Sequence, residues 1–194
     1  MSDYIQLTNI SKTFGKQTVL HGSGKTVLMK MILGILQPTT GTVIVGDKRI
    51  GKDVDFPESA GAIIETIEFI PYMSAYQNLA DIAAMRGNLS KTQIKEVLEM
   101  VGLGNVGRKH VSKFSMGMRQ RLAIAVMESP KLLILDEPMN GMDEKGVEEM
   151  RRLILARKAA GTTIILSSHN IEDIRILCDQ VYRIDAGVVM REVE

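Results

Sequence analysis

The sequence predicts an α/β fold with a parallel-sheet core, an antiparallel β segment and an inserted helical subdomain. Three observations predict it. Leu132–Leu135 is an uninterrupted apolar run that ends in two adjacent carboxylates, Asp136 and Glu137. Such a run suits a strand covered on both faces, as in a parallel sheet. Gly22–Thr26, GSGKT, is a glycine-rich turn followed by Val27, Leu28, Met31, Ile32, Ile35 and Leu36 at helical spacing, so a loop opens a helix there. The interval from about 65 to 128 reads as helix, between two strand-bearing stretches.

In chain order, strands are expected at Tyr4–Thr8, Gln17–Leu20, Thr42–Val45 and Ala62–Ile64, with turns at Pro38–Gly41 and Gly46–Asp47. Ser90–Gln93 reads as a capping box opening a helix that ends near Gly102. A further helix begins within Phe114–Met118, FSMGM, and Pro130 closes it. After the acidic strand come a helix over Glu144–Ala160 stopped by Gly161, a strand Thr163–Leu166, and a hairpin turning at Ala186–Gly187. Linkers, low-complexity tracts and internal repeats are absent, so residues 1–194 are expected to form one domain.

Composition narrows the function classes. With 24 Lys and Arg against 23 Asp and Glu, the net charge of +1 supports neither a nucleic-acid binder nor a polybasic membrane anchor. No apolar run approaches the ~18 residues that span a bilayer, and Met1–Asn9 is too polar for a signal peptide. The one cysteine, Cys178, excludes an internal disulfide and reads as a buried thiol in a reducing cytoplasm. The 13 methionines read as core packing and interface plasticity.

Chemistry concentrates at three places. Ligands of parallel sheets bind just beyond the strand ends. Asp136 and Glu137 there suit a division of labour in which one holds Mg²⁺ and the other polarises an attacking water. A solvated strand end gives the same acidic pair. GSGKT has the form of the second half of a phosphate-binding loop. Gly22, Ser23 and Gly24 would turn backbone N–H groups toward phosphate, Lys25 would reach the β- and γ-phosphates, and the Thr26 hydroxyl would ligate Mg²⁺. A glycine-rich turn with a chance Lys-Thr is the plainer alternative. Ser115 stands at an N-cap position and Gly117 permits close backbone approach, so the helix start at FSMGM is either an anion site or an ordinary capped helix.

One departure stands out. The full loop pattern, G-x-x-x-x-G-K-T, requires glycine at position 19, where Val19 stands. Gly15–His21 is also too short and too polar to supply both a feeding strand and a loop. Either the sequence lacks a segment of the natural chain near residues 20–22, or the protein carries an internal deletion. The first is favoured because every other element is intact.

The order GSGKT, FSMGMRQRLAIA, LLILDEP, NGMD and LSSH resembles the nucleotide-binding domain of an ATP-binding cassette (ABC) transporter over nearly the whole chain. The resemblance implies a P-loop NTPase core of the ABC type, with roughly twenty more residues near His21 than this chain has. It also implies ATP and Mg²⁺ as cofactors and a homodimer, or a pair of ABC domains, with composite ATP sites. In that arrangement Ser115 and Gly117 close over the γ-phosphate held by the other subunit. Met116 and Met118 replace the Gly and Gln of the usual LSGGQ form, which removes a side-chain amide contact. By resemblance His169 is the switch histidine, although a strand-end histidine is equally a solvated loop residue. Asp143 resembles the interface-crossing loop and is also placed to cap the following helix. Phe14 would stack on adenine or serve as an ordinary packing residue.

Glu65 stands where the family keeps Gln, a position that touches Mg²⁺ and begins the loop sensing the membrane partner. Together with YQNLADI and FSMGM it resembles the ATPases of drug, antibiotic and bacteriocin-resistance exporters. The resemblance therefore implies a peripheral subunit on the inner face of the cell membrane, held by a separate transmembrane permease and not binding nucleic acid. Two alternatives remain. A truly truncated phosphate loop would leave a non-hydrolysing binding or scaffold subunit. A DNA-repair or chromosome-organising ABC ATPase fits less well, since those carry long coiled-coil insertions and Glu65–Phe114 is short.

Overall fold

The computed structural model of the chain describes residues 4–13, 24–64, 68–86, 90–127, 130–185 and 188–192. They group into two compact units, Met1–Ala60 with Cys178–Glu194, and Gly61–Leu177.

The first unit carries a sheet in the order β1 (Ile5–Ser11), β2 (Thr40–Val45), β3 (Lys48–Arg49). β1 and β2 are antiparallel, Ile5 facing Val45 and Thr8 facing Thr42, and a register shift before Ser11 lets the pairing run on to Thr40. Both strands are longer than Tyr4–Thr8 and Thr42–Val45 because a bulge in one strand is accommodated by a glycine in the other. Asn9 adopts φ 48° at the bulge, and Gly41 has φ 88° with Thr8 O only 2.4 Å from where a Cβ would stand. Only glycine admits that approach. The predicted turn at Gly46–Asp47 joins β2 to β3, with Gly46 at φ 65°.

Helix α1 (Lys25–Ile32) follows Gly24. It is shorter than the apolar spacing suggests. Gly34, at φ 80°, turns the chain away, and Ile35 is 57% exposed. The buried set is Met29, Met31, Ile32 and Leu33. The strand expected at Gln17–Leu20 lies outside the described residues. β7 (Val181–Asp185) and β8 (Val188–Glu192) pair antiparallel, Asp185 facing Val188, while the turn expected at Ala186–Gly187 lies outside the described residues. Cys178 is half-buried, unlike the expected buried thiol, because it follows the last turn of its helix instead of lying on an inner face.

The second unit holds the sheet β4 (Ala60–Ile63), β5 (Leu132–Asp136), β6 (Thr163–Ser167), in that order. β5 and β6 are parallel, with Leu132 facing Thr163 and Asp136 facing Ser167. Leu132, Leu133, Ile134 and Leu135 are each 0% exposed, as the uninterrupted apolar run requires. Helices α2 (Ala75–Arg86), α3 (Lys91–Met100), α4 (Met116–Val126), α5 (Glu144–Ala159) and α6 (Ile171–Leu177) complete the unit. Four consecutive residues of α4, Leu122–Ala125, are buried, the mark of a helix covered on most sides.

The predicted helix boundaries have the expected chemistry. Ser90 and Gln93 form a reciprocal capping box, and Gly102 takes φ 71° just past α3. Gly161 takes φ 90° after α5. Arg121 fastens the helical layer: it donates toward Val101 O at 3.4 Å, at the carbonyl end of α3, and pairs with Glu149 on α5 at 3.0 Å. A cation is favoured at that end of a helix.

A Cβ on Gly34 would lie 1.9 Å from Asp55 O, in a backbone conformation L residues avoid. Gly34→Ala is therefore expected to lower stability by about 2–3 kcal/mol. Urea denaturation measures it as a lower midpoint at an unchanged slope.

Candidate functional site

In the second unit the end of β5 gathers chemistry from three segments. Pairing with β6 puts Ser167 directly beside Asp136. Ser167 Oγ donates to Asp136 Oδ1 at 2.5 Å and accepts the Glu137 backbone N–H at 2.9 Å. Glu137 takes φ 48°, an uncommon conformation for a residue with a side chain. Its Oε1 lies 3.3 Å from His169 Nε2, on the loop that follows β6. His169 is 81% exposed and Glu137 28%, so their pairing is open to water and contributes little to stability. The sequence-selected Asp136, Glu137 and His169 are thus brought together, and Ser167 joins them.

A chain of polar contacts holds the histidine loop. Ser168 Oγ donates to Asp173 Oδ2 at 3.2 Å and accepts the Asn170 N–H at 3.0 Å. Asp173, 2% exposed, receives Arg151 Nε at 2.8 Å from α5, and Arg151 also bonds Glu172. The hydrogen bonds that Arg151 donates to Glu172, and then to Asp173, push its pKa further up. The histidine loop is thereby tied to α5, whose N-cap is Asp143.

Asp143 Oδ1 accepts the Gly146 N–H at 2.9 Å, so its capping role is present. Ser115 caps α4 through the Met118 N–H at 3.3 Å. A hydroxyl that accepts one N–H still has a proton to donate, so capping is compatible with a phosphate contact. These two helix starts pack on each other. A Cβ on Gly117 would lie 3.4 Å from Met142 Sδ, and one on Gly141 would lie 2.9 Å from Met116 Sδ. Met116, the departure from LSGGQ, therefore fits against a glycine at φ 73° in the NGMD turn.

A third arrangement connects the segment after β4 with the run into α4. Asn78, 3% exposed, accepts the Ile70 N–H at 2.8 Å and donates to Ile70 O and Ser74 O. Val111 N–H bonds Met73 O, and Ser112 N–H bonds Pro71 O, each at 2.9 Å. Beside them a groove of about 680 Å³ is lined by Tyr76, Gln77, Lys95, Glu99, Arg108 and His110, among others.

In the first unit, Lys25 and Thr26 are the first residues of α1. Gly24, at φ 82°, precedes them and supplies no side-chain cap, whereas α3, α4 and α5 each have one. A helix start without a side-chain cap leaves its first backbone N–H groups open to an anion. Phe14, Gly22, Ser23 and Glu65, and the shortfall near residues 20–22, lie outside the described residues.

The donor chemistry can be tested against a metal. Among the described residues no three His, Cys, Asp or Glu side chains cluster as an all-protein cage would need. Mg²⁺ is held by one or two carboxylates together with substrate phosphates, and in the second unit the strand-end carboxylate of Asp136 is a donor of that kind.

Sequence reasoning passed over Ser167, Asp173, Arg151 and Asn78 as functional residues. For Ser167 a signal existed: the two predicted strands, paired in parallel, put it level with Asp136.

Comparisons with known proteins identify the family. The family described as "ABC transporter" matches residues 15–140. The uncharacterized ABC transporter ATP-binding protein YybJ of Bacillus subtilis (strain 168) is 41% identical over 188 residues, covering 93% of this chain and 86% of its own. The lantibiotic transport ATP-binding protein SrtF of Streptococcus pyogenes is 36% identical over 211 residues, covering 98% and 90%. That alignment is longer than the 194 residues of this chain, so SrtF has residues within the matched span that lack counterparts here. The bacitracin transport ATP-binding protein BcrA of Bacillus licheniformis is 37% identical over 215 residues, covering 100% and 70%. The ADP conformation of MJ1267, an ATP-binding cassette of an ABC transporter, superposes with a TM-score of 0.83 at 20% identity, covering 98% of this chain and 90% of that one. At that identity the likeness speaks for the fold.

Removing Arg151 would leave Asp173 buried without its cation. Arg151→Ala is expected to lower stability by about 3 kcal/mol, whereas Glu172→Ala, at an exposed carboxylate, should lower it by less than about 1 kcal/mol. Urea unfolding of the two variants measures the contrast.

Proposed function

The chain belongs to the ABC transporter family, and we propose that it is the ATP-hydrolysing subunit of a membrane exporter that works as a pair. The observation that carries this reading is the cluster of Asp136, Glu137 and His169 at the mouth of a fully buried strand. Its counterpart is a helix that starts with Lys25 and Thr26 behind a bare glycine.

The roles follow from the chemistry of each group. Lys25 and the backbone of Gly22, Ser23 and Gly24 bind the β- and γ-phosphates, and Phe14 stacks on adenine. Thr26, Asp136 and Glu65 hold Mg²⁺. When bound, Mg²⁺ neutralises charge on the transferring phosphoryl group. Glu137 draws a proton from the attacking water, and His169 orients that water toward the γ-phosphate. Ser115 and Gly117 of a second copy complete the site from the opposite side, and Asp143 carries the state of one site to the other. The residues that lack counterparts in the alignment with SrtF are placed between Leu20 and Gly22, where the loop pattern is short.

The relatives named for lantibiotic and bacitracin transport support export of peptide antibiotics as the substrate class. No helix among the described residues is long and apolar enough to cross a membrane. In the proposed arrangement, passage belongs to a separate permease, with this subunit on the inner face of the cell membrane. The groove beside Tyr76 and Arg108 is the proposed seat of a permease segment. The backbone bonds from Pro71 and Met73 to Ser112 and Val111 give a path by which a push there moves Ser115. Residues 65–128 then act as a helical subdomain within one domain, 1–194.

Glu137→Gln keeps size and polarity but removes the base. It is expected to lower ATP turnover by a factor of about 10²–10⁴ and to leave an ATP-bound dimer on gel filtration with MgATP. A monomeric variant turning over at the parent rate contradicts the assignment. Arg108→Glu combined with Lys95→Glu is expected to leave basal turnover unchanged while abolishing co-purification with the permease and peptide export. Unchanged co-purification would remove the groove from its role.

A further inference from the structure

We propose that Ser167 is a positioning residue for hydrolysis, fixing the Asp136 carboxylate and the Glu137 backbone through one hydroxyl. The inference rests on the reading of Asp136 and Glu137 given above, and adds a residue to it. A carboxylate only accepts hydrogen bonds, and an N–H only donates. The 2.5 Å contact to Asp136 Oδ1 therefore takes the Ser167 proton, and the 2.9 Å contact from Glu137 N–H takes a lone pair. Both functions of the hydroxyl are committed at once. The register forces this, since Ser167 is level with Asp136 across the β5–β6 pair. Ser167 is 4% exposed, so water is a poor substitute for either partner.

The consequence falls on two neighbouring roles. The bond to Oδ1 sets the rotation of the Asp136 carboxyl group, and hence the direction it presents to a cation. The bond from the Glu137 N–H supports φ 48°, the conformation that turns the chain sharply at the strand end and brings the Glu137 side chain to His169. Ser168 does not duplicate this, because its Oγ is engaged with Asp173 and Asn170.

Ser167→Thr and Ser167→Val have nearly the same shape and differ in the hydroxyl, so comparing them separates hydrogen bonding from packing. In the nucleotide-free full chain, amide hydrogen exchange at Glu137, read by NMR, is expected to be at least about tenfold faster in Ser167→Val than in Ser167→Thr. In ATP turnover, Ser167→Val is expected to lower kcat by about 10- to 100-fold and raise the Mg²⁺ half-saturation, with KM for ATP within about threefold. Ser167→Thr should keep kcat within about threefold of the parent. Equal exchange in the two variants, equal kcat, or a Thr variant as slow as Val overturns the proposal. Asp136→Asn separates the levels. If that change leaves kcat and Mg²⁺ half-saturation at parent values, the site assignment itself falls and this inference with it. If Asp136→Asn is impaired while Ser167→Val is not, only this inference falls.

Discussion

Parallel pairing of β5 with β6 is the constraint on which the site depends. Leu132–Leu135 are wholly buried, so β5 has no freedom to slip: a one-residue shift would exchange the faces its side chains occupy and carry Asp136 or Lys131 inward. With β5 fixed, the β6 register places Ser167 beside Asp136. Glu137 then leaves the strand at a sharp angle and meets His169. The carboxylates are delivered by apolar burial, oriented by one hydroxyl, and met by a histidine whose loop hangs from Asp173 and Arg151.

Signals local in the chain could be read from the sequence directly. The Ser90 capping box, the Ser115 and Asp143 caps and the glycines at 46, 102 and 161 each act within a few residues, and each is found where its chemistry predicts. The apolar run before Asp136 announced a covered strand for the same reason. The misjudged features depend on distant partners. The bulge at Asn9 that extends β1 requires Gly41 on another strand. The end of α1 is decided by Gly34 against Asp55, which no periodicity in Val27–Leu36 reveals. Ser167 and Asp173 were unremarkable as letters and acquire roles only through pairing and burial.

The methionine departures in FSMGM show how tertiary context changes a motif's meaning. Met116 would crowd a helix start meant to approach a ligand, yet it packs on Gly141, while Met142 packs on Gly117. Each methionine meets a glycine across the gap, so the turn ending in Asp143 and the start of α4 are held as one piece. The same unit carries the backbone bonds from Pro71 and Met73 to Ser112 and Val111, which join that piece to the segment beyond β4.

The central claim is that Lys25 of one subunit and Ser115 of another form one ATP site. Mixing Lys25→Ala protein with Ser115→Ala protein and measuring ATP turnover tests it most directly. Composite sites predict that the mixture exceeds either variant alone, because each mixed dimer contains one site with both residues intact. Turnover in the mixture no higher than the average of the two separate variants would contradict the account, since it would place both residues in the same subunit's site.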